Sequence, residues 1–227
     1  MRLRPFALLL VLVLALAACG GDDEPESAGT TAATTEETQA TLSDDTCESV
    51  EAPEPKPDGG RTAPTATLEV DTTYELVVET SCGDFTIELD QKLAPKTAAS
   101  LVSLARDGFY DDTVFHRVVP GFVIQGGDPT GTGTGGPGYK TVDVPPAETT
   151  YSTGVVAMAK AGNEPPWTSG SQFFVVTAPD AGLPPDYAIV GTVTDGMETV
   201  SAIEALGTGD GPPSQPVVIE KVAVEED

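Results

Sequence analysis

This chain of 227 residues has one histidine, one tryptophan, three cysteines and only 11 basic residues against 36 acidic ones, and each shortage removes a class of activity. A lone His116 cannot build a histidine-based zinc site, and no Cys-x-x-Cys pair stands in for it. No Gly-x-Ser-x-Gly offers a nucleophile for which His116 would be the base, so serine-triad hydrolysis is a poor reading. The formal net charge of -25 argues against a basic face for nucleic acid or anionic headgroups. Long apolar runs are equally scarce: the one from Phe6 to Ala18 is too short to span a bilayer comfortably. Gly131, Gly133 and Gly136 fit Gly-x-Gly-x-x-Gly, but Pro137-Gly138-Tyr139 and Val144-Pro145-Pro146 follow, so no helix starts there to receive a pyrophosphate. No cofactor is expected.

The front of the chain is compositionally separate. Residues 1–18 begin with Arg2 and Arg4, continue as the apolar stretch and close on small residues, which reads as a secretory signal peptide. Its end, Leu16-Ala17-Ala18-Cys19, resembles a bacterial lipobox, and the resemblance implies that Cys19 is lipidated and becomes the first residue of the mature protein. Residues 19–66 hold almost no large apolar residue and many acids, so they are expected to form a disordered, self-repelling tether. The folded domain is expected over 67–227, lipid-anchored at the outer face of the bacterial cytoplasmic membrane or in the cell envelope. The anchor would be its only membrane contact. Cys47 and Cys82 then sit in a compartment that permits disulfides, either bridged, tying the tether to the first hairpin, or as two free buried thiols.

From Thr73 the pattern turns to short alternating or β-branched runs. Strands are expected at Tyr74 to Glu79, Phe85 to Leu89, Thr113 to Val118, Val123 to Gln125, Val155 to Ala159, Phe173 to Thr177, Ala188 to Val193 and Val217 to Val224. Gly- and Pro-rich connections separate them. Two segments read as helices: Pro95 to Arg106, with Leu101, Leu104 and Ala105 as its buried positions, and Met197 to Leu206, with Val200 and Ile203 on one face. Many short strands make the fold mostly β, and the pattern alone does not separate a barrel from a sandwich.

The run Phe115-His116-Arg117-Val118-Val119-Pro120-Gly121-Phe122-Val123-Ile124-Gln125-Gly126-Gly127-Asp128 sets one arginine among aromatic and aliphatic residues and follows it with a glutamine. That mixture suits an apolar pocket with a single cationic donor. The run resembles the signature of the cyclophilins, and the likeness continues through Met158-Ala159-Lys160-Ala161 and Gly170-Ser171-Gln172-Phe173-Phe174. The resemblance implies a closed eight-stranded antiparallel β-barrel capped by two α-helices. It also implies a monomeric peptidyl-prolyl cis-trans isomerase that acts on proline-containing unfolded or exported polypeptides. Arg117 would then be catalytic, its permanent charge and planar fork of donors aimed at the prolyl nitrogen. Phe122, Met158, Phe174 and Leu183 would surround the proline ring. Gln125 and the backbone near Lys160 would grip the peptide, with Ala159, Ala161 and Gln172 carried over as further substrate contacts. His116 would line the site without a proton-transfer role, and Tyr187 would close the far rim. The Gly131–Gly133 loop would lie beside the peptide groove.

The alternative is a tethered module that binds proline-containing segments in the same groove without accelerating them. Three positions depart from the animal-type family pattern: Lys160 stands for an asparagine, Gly182 for a tryptophan and Tyr187 for a histidine. The missing tryptophan predicts weak cyclosporin inhibition. Trp167, in a loop that carries Pro165 and Pro166, is expected either to shape selection of residues before the proline or to rest on the barrel as an exposed loop residue.

Overall fold

The computed structural model describes residues 47–227; the expected signal peptide, Cys19 and the first part of the tether lie outside the described residues. The elements are β1 (Tyr74–Thr80), β2 (Gly83–Leu89), α1 (Pro95–Arg106), β3 (Thr113–Val114), β4 (Arg117–Val119) and β5 (Val123–Gly126). They continue with β6 (Thr141–Val142), β7 (Val155–Met158), β8 (Thr168–Ser169), β9 (Phe173–Val176), β10 (Ile189–Asp195), α2 (Met197–Ala205) and β11 (Val218–Glu226).

β1 shows how sequence makes the wall. Tyr74, Leu76, Val78 and Thr80 turn inward and are buried while Glu75, Val77 and Glu79 alternate outward, as a period of two demands. Nine strands join in the order β3-β11-β1-β2-β10-β7-β9-β5-β4, all neighbours antiparallel. The two ends of that list, β3 and β4, are parted only by Phe115 and His116, so they are pieces of one segment. Counting them once leaves eight staves, and the Val114–Asp128 bridge carries the pairing round from β3 to the segment after β5. The sheet therefore curls into the expected eight-stranded antiparallel barrel, joined between β3 and the segment after β5 by that one bridge, which shields most of the edge an open sheet would carry.

α1 starts on Pro95, where a missing N–H costs nothing, and buries Leu101, Leu104 and Ala105 against β11 and β1. α2 buries Val200 and Ile203 and packs on β2, β4 and β5. A two-stranded ribbon, β6 with β8, was not expected; strands of two residues leave no periodicity to read.

Strands β5, β7 and β9 are buried on both faces, and this parity organises the site. Val118, Ile124, Val156, Met158, Phe173 and Val175 point into the barrel and join its core. Val123, Ala157, Phe174 and Val176 point the other way, into a second cluster with Tyr151 and Ala178.

The expected free tether needs correction from residue 47 onward. Cys47 is bonded to Cys82, and the Glu48 N–H donates to Ser81 O at 2.7 Å. The Lys56 ammonium donates to the carbonyls of Gly108, Phe109 and Asp111, just past the end of α1. Gly59 and Arg61 donate backbone N–H bonds to Gly136 O and Pro137 O at 2.9 and 3.0 Å, and the Gly136 N–H returns one to Asp58 Oδ1 at 2.9 Å. Residues 47–61 are thus a strap along the domain. Hydrophobic pattern missed it because a covalent bond, a cation at bare carbonyls and main-chain bonds hold it, with little apolar burial.

Candidate functional site

Strand register assembles one line of side chains from distant sequence. Arg117 of β4 faces Gln125 of β5, which faces Phe174 of β9, then Ala157 of β7 and Ile189 of β10. Residues directly opposite in an antiparallel pair project from the same side of the sheet, so the line is a continuous strip on the outer surface of the barrel. Above it lies a groove of about 370 Å³. Phe122, Val123, Phe174, Leu183 and Tyr187 give it apolar walls; Arg117, Gln125 and Lys160 are its polar members, with Ala159 between. Phe174 and Tyr187 meet edge to face at 5.7 Å between ring centres, and Tyr151 backs both.

A directed series of hydrogen bonds holds the polar side. Arg117 Nε donates to Asp210 Oδ1 at 2.6 Å and Arg117 Nη1 to Gln125 Oε1 at 3.2 Å. Gln125 Nε2 donates to Gln172 Oε1 at 3.1 Å, and Gln172 Nε2 to Gly135 O at 2.9 Å. The guanidinium carbon also lies 5.8 Å from the centre of the Phe122 ring, a cation–π distance. A guanidinium has five N–H donors, and these two bonds leave three of them to address a ligand. Lys160 Nζ stands 5.4 Å from the Tyr187 ring centre on the opposite side.

A smaller recess of about 170 Å³ adjoins the groove and shares Gln125, Ala159 and Lys160 with it. Gly133, Gly135, Ala161 and Gln172 line it, together with the Lys140–Glu164 ion pair at 2.7 Å. Its glycine loop is built around buried Asp128, whose carboxylate accepts the N–H groups of Thr130, Gly133 and Gly135. Burial pushes that carboxyl up, but the bonds from Thr130, Gly135 and Gly133 outweigh it and hold Asp128 below the ordinary range. A Cβ on Gly135 would overlap Asp128 Oδ1, so no other residue closes this turn unchanged.

Of the residues singled out from sequence, Arg117, Phe122, Gln125, Ala159, Lys160, Phe174, Leu183 and Tyr187 come together in the groove. Ala161 and Gln172 line the recess instead, as do Gly133 and Gly135 of the glycine loop. Met158 is a correction. It lies opposite Phe173, on the barrel-facing parity of β7, and is 0 % exposed inside the core. Val123, two residues before Gln125 and on the same face, takes a place on the groove wall that sequence reading missed. The alternation was a usable signal there.

His116 lies between β3 and β4 and does not reach either cavity. Both ring nitrogens are buried without a hydrogen-bond partner; Val114 and Gln172 are near but miss bonding geometry. Burial lowers its pKa below the ordinary value, Arg117 adds to that, and the Asp128 charge opposes it. Asp210 carried no sequence signal: it sits in an irregular loop 93 positions from its partner, and the bond from Arg117 depresses its pKa. At Gly182, where the family tryptophan would align, the backbone has φ +62°, a conformation that a tryptophan would adopt only with strain.

Residues 75–224 match the family model described as cyclophilin type peptidyl-prolyl cis-trans isomerase/CLD. The chain is 41% identical over 161 residues to peptidyl-prolyl cis-trans isomerase-like 1 of Gibberella zeae, covering 68% of this chain and 98% of that one. It is 43% identical over 168 residues to peptidyl-prolyl cis-trans isomerase B of Streptomyces anulatus, covering 65% and 94%. Among solved structures, a cyclophilin type peptidyl-prolyl cis-trans isomerase from Cryptosporidium parvum superposes with a TM-score of 0.62 at 33% identity, over 67% of this chain and 98% of that one. The same relative crystallised in the presence of the dipeptide Ala-Pro gives 0.61 at 34% identity, over 66% and 98%.

Proposed function

The chain belongs to the cyclophilin-type peptidyl-prolyl cis-trans isomerase family and is a peptidyl-prolyl cis-trans isomerase; from that premise we propose that Arg117 is its donor to the prolyl nitrogen and that its clients are exported or cell-surface polypeptides. An X-Pro amide rotates slowly because conjugation raises a barrier of roughly 18–20 kcal/mol. In the twisted transition state the prolyl nitrogen regains a lone pair, which a donor stabilises; in the planar ground state it has none to offer. A donor placed there therefore lowers the barrier selectively.

The observation that carries this reading is the sharing of one groove by Arg117, anchored by Gln125, and the apolar floor of Phe122, Val123 and Phe174. The floor suits a proline ring, and holding the ring still lets the acyl side turn against it. Gln125 and Gln172, linked to each other and to Gly135 O, flank the path of the peptide. The test is the cis-trans exchange rate of an Ala-Pro-Phe peptide with the full chain and its Arg117→Ala variant. Loss of one preorganised donor is expected to lower kcat/KM by about a hundredfold or more while the fold persists. Peptide binding without acceleration by the folded wild type would favour the non-catalytic binding module.

The export context rests on Leu16-Ala17-Ala18-Cys19 and the charged and apolar run before it. We infer that residues 1–18 are removed and that Cys19 carries the acyl chains. Each buried methylene then contributes about 0.8 kcal/mol, enough with more than one chain to hold the domain at the outer face of the membrane. A Cys19→Ser chain is expected to lose incorporation of a palmitate analogue and to leave the membrane fraction; incorporation unchanged by the substitution would sink the assignment.

A further inference from the structure

The far wall of the groove, Leu183 to Tyr187, belongs to no helix or strand. Three consecutive carbonyls in it are nevertheless all taken, and by only two residues. Trp167 donates its indole Nε1–H to Pro185 O at 2.9 Å and its backbone N–H to Asp186 O at 2.7 Å. The Tyr151 hydroxyl donates to Tyr187 O at 2.7 Å and accepts the Tyr187 N–H at 3.2 Å. Trp167 achieves its pair of bonds in a left-handed backbone, φ 66°, one of only two non-glycine residues so placed among those described. An L-residue with a large side chain reaches that region at a cost of about 1–2 kcal/mol, so something must compensate it. The two bonds into the 185–186 backbone are the compensation visible here. Pro165 and Pro166 just before it restrict the approach of the chain, and β8 just after it fixes the exit by pairing with β6.

We propose that Trp167 is a positioning residue for the proline groove: it clamps the Pro185–Asp186 backbone so that Leu183 and Tyr187 stay in place against Phe174. The inference rests on the isomerase reading of this groove. Trp167 itself lines neither cavity, although Ala161 and Glu164 of its loop line the adjoining recess, so it acts on the groove through the 185–186 backbone. The clamp therefore governs how firmly the ring is held; the donor side, Arg117 with Gln125 and Asp210, is fixed by β4, β5 and other bonds and does not depend on it. Substrate and transition state share the same ring contact, so losing the clamp weakens both alike. That signature is a raised KM at unchanged kcat.

The experiment compares the full-length wild type with Trp167→Phe, which keeps an aromatic ring and removes the indole N–H, using the Ala-Pro-Phe exchange assay. KM is expected to rise about three- to tenfold with kcat unchanged. Trp167→Gly, for which a positive φ carries no strain and which keeps the backbone N–H, is expected to give the same split if the phenylalanine variant does not fold. Unchanged KM in a folded variant, or equal loss of kcat with KM constant, overturns the clamp while the isomerase reading stands. A wild type that is folded yet accelerates nothing overturns the isomerase reading first and the clamp with it.

Discussion

The floor and the far wall of the groove are built by different physics. The floor is a line of residues across paired strands, Arg117, Gln125 and Phe174, with Ala157 next in register but buried beneath it, each placed by main-chain register and by the core on the other side of the sheet. The wall from Leu183 to Tyr187 has no ladder and stays in place through side chains that reach into its backbone from Tyr151 and Trp167. A register-built surface cannot move one residue without moving a strand. A surface held by three side-chain bonds and one main-chain bond can be loosened one side chain at a time, which makes it the place where ligand preference is adjustable without loss of the fold.

The sharpest way to break the floor is Phe174→Ala. The side chain is 4 % exposed and packs with Tyr151 and Tyr187, so its loss leaves a cavity worth about 3–5 kcal/mol of stability. Urea unfolding checks the cost, and peptide affinity should fall with it. The corresponding cut in the wall is Tyr151→Phe, which keeps the ring and deletes the hydroxyl shared by Tyr187 N–H and O. About 1–2 kcal/mol is expected, since two backbone groups lose a partner, with KM rising more than kcat falls. If Tyr151→Phe destabilised as much as Phe174→Ala, the distinction between floor and wall would fail.

The same division explains what could be read from sequence. The eight strand segments and both helices were legible because each carries a period of two, a short β-branched run or an apolar face at helical spacing, and Arg117, Gln125 and Phe174 were legible because they fall in the motif. Met158 was misplaced by following the motif past the alternation: Val156 and Met158 share the barrel-facing side, so Ala157, between them, faces outward. Asp210 and the clamp on residues 185–187 lay beyond reach, since each ties an irregular loop to a residue distant in sequence through bonds that no local pattern encodes. The strap from Cys47 was hidden for a related reason: the disulfide could be suspected from compartment and count, but Lys56 at three carbonyls could not.

A third perturbation reaches the floor from beneath. His116 precedes Arg117, and its buried, unbonded ring has a lowered pKa, chiefly because burial disfavours the imidazolium, with Arg117 adding to the effect against the pull of Asp128. The unfolded chain takes up the proton first, at about pH 6.5. The stabilising contribution is therefore fully present above that pH and is lost as pH falls from it toward the folded value. The depressed carboxyls Asp128, Glu164 and Asp210 lose theirs only in a lower window, below the ordinary carboxylate range near about 4. Unfolding free energy measured at pH 7.5 and 5.5 should drop for the wild type and change less for His116→Gln. An equal drop in both would assign the loss elsewhere.

The smallest expected effect tests whether the floor itself is wholly register-built. Gln125 reaches Arg117 across a strand pair, whereas Asp210 reaches it from a loop, by a carboxylate that is largely exposed. Exposed ion pairs contribute little and are screened by salt, so Asp210→Ala should lower kcat/KM only about two- to fivefold and leave stability unchanged. Asp210→Asn, which keeps an oxygen for Nε–H, should lose less. Because the bond from Arg117 depresses the Asp210 pKa, the pin is present above the ordinary carboxylate range and vanishes only as pH falls through the lower folded value, so this group adds no slope to kcat/KM near neutrality. Gln125→Ala, cutting the register-borne contact and the series on to Gln172 and Gly135, should cost more than either. If Asp210→Ala were the costlier change, the guanidinium would be aimed by the loop rather than the strand, and the donor would belong with the adjustable wall instead of the rigid floor.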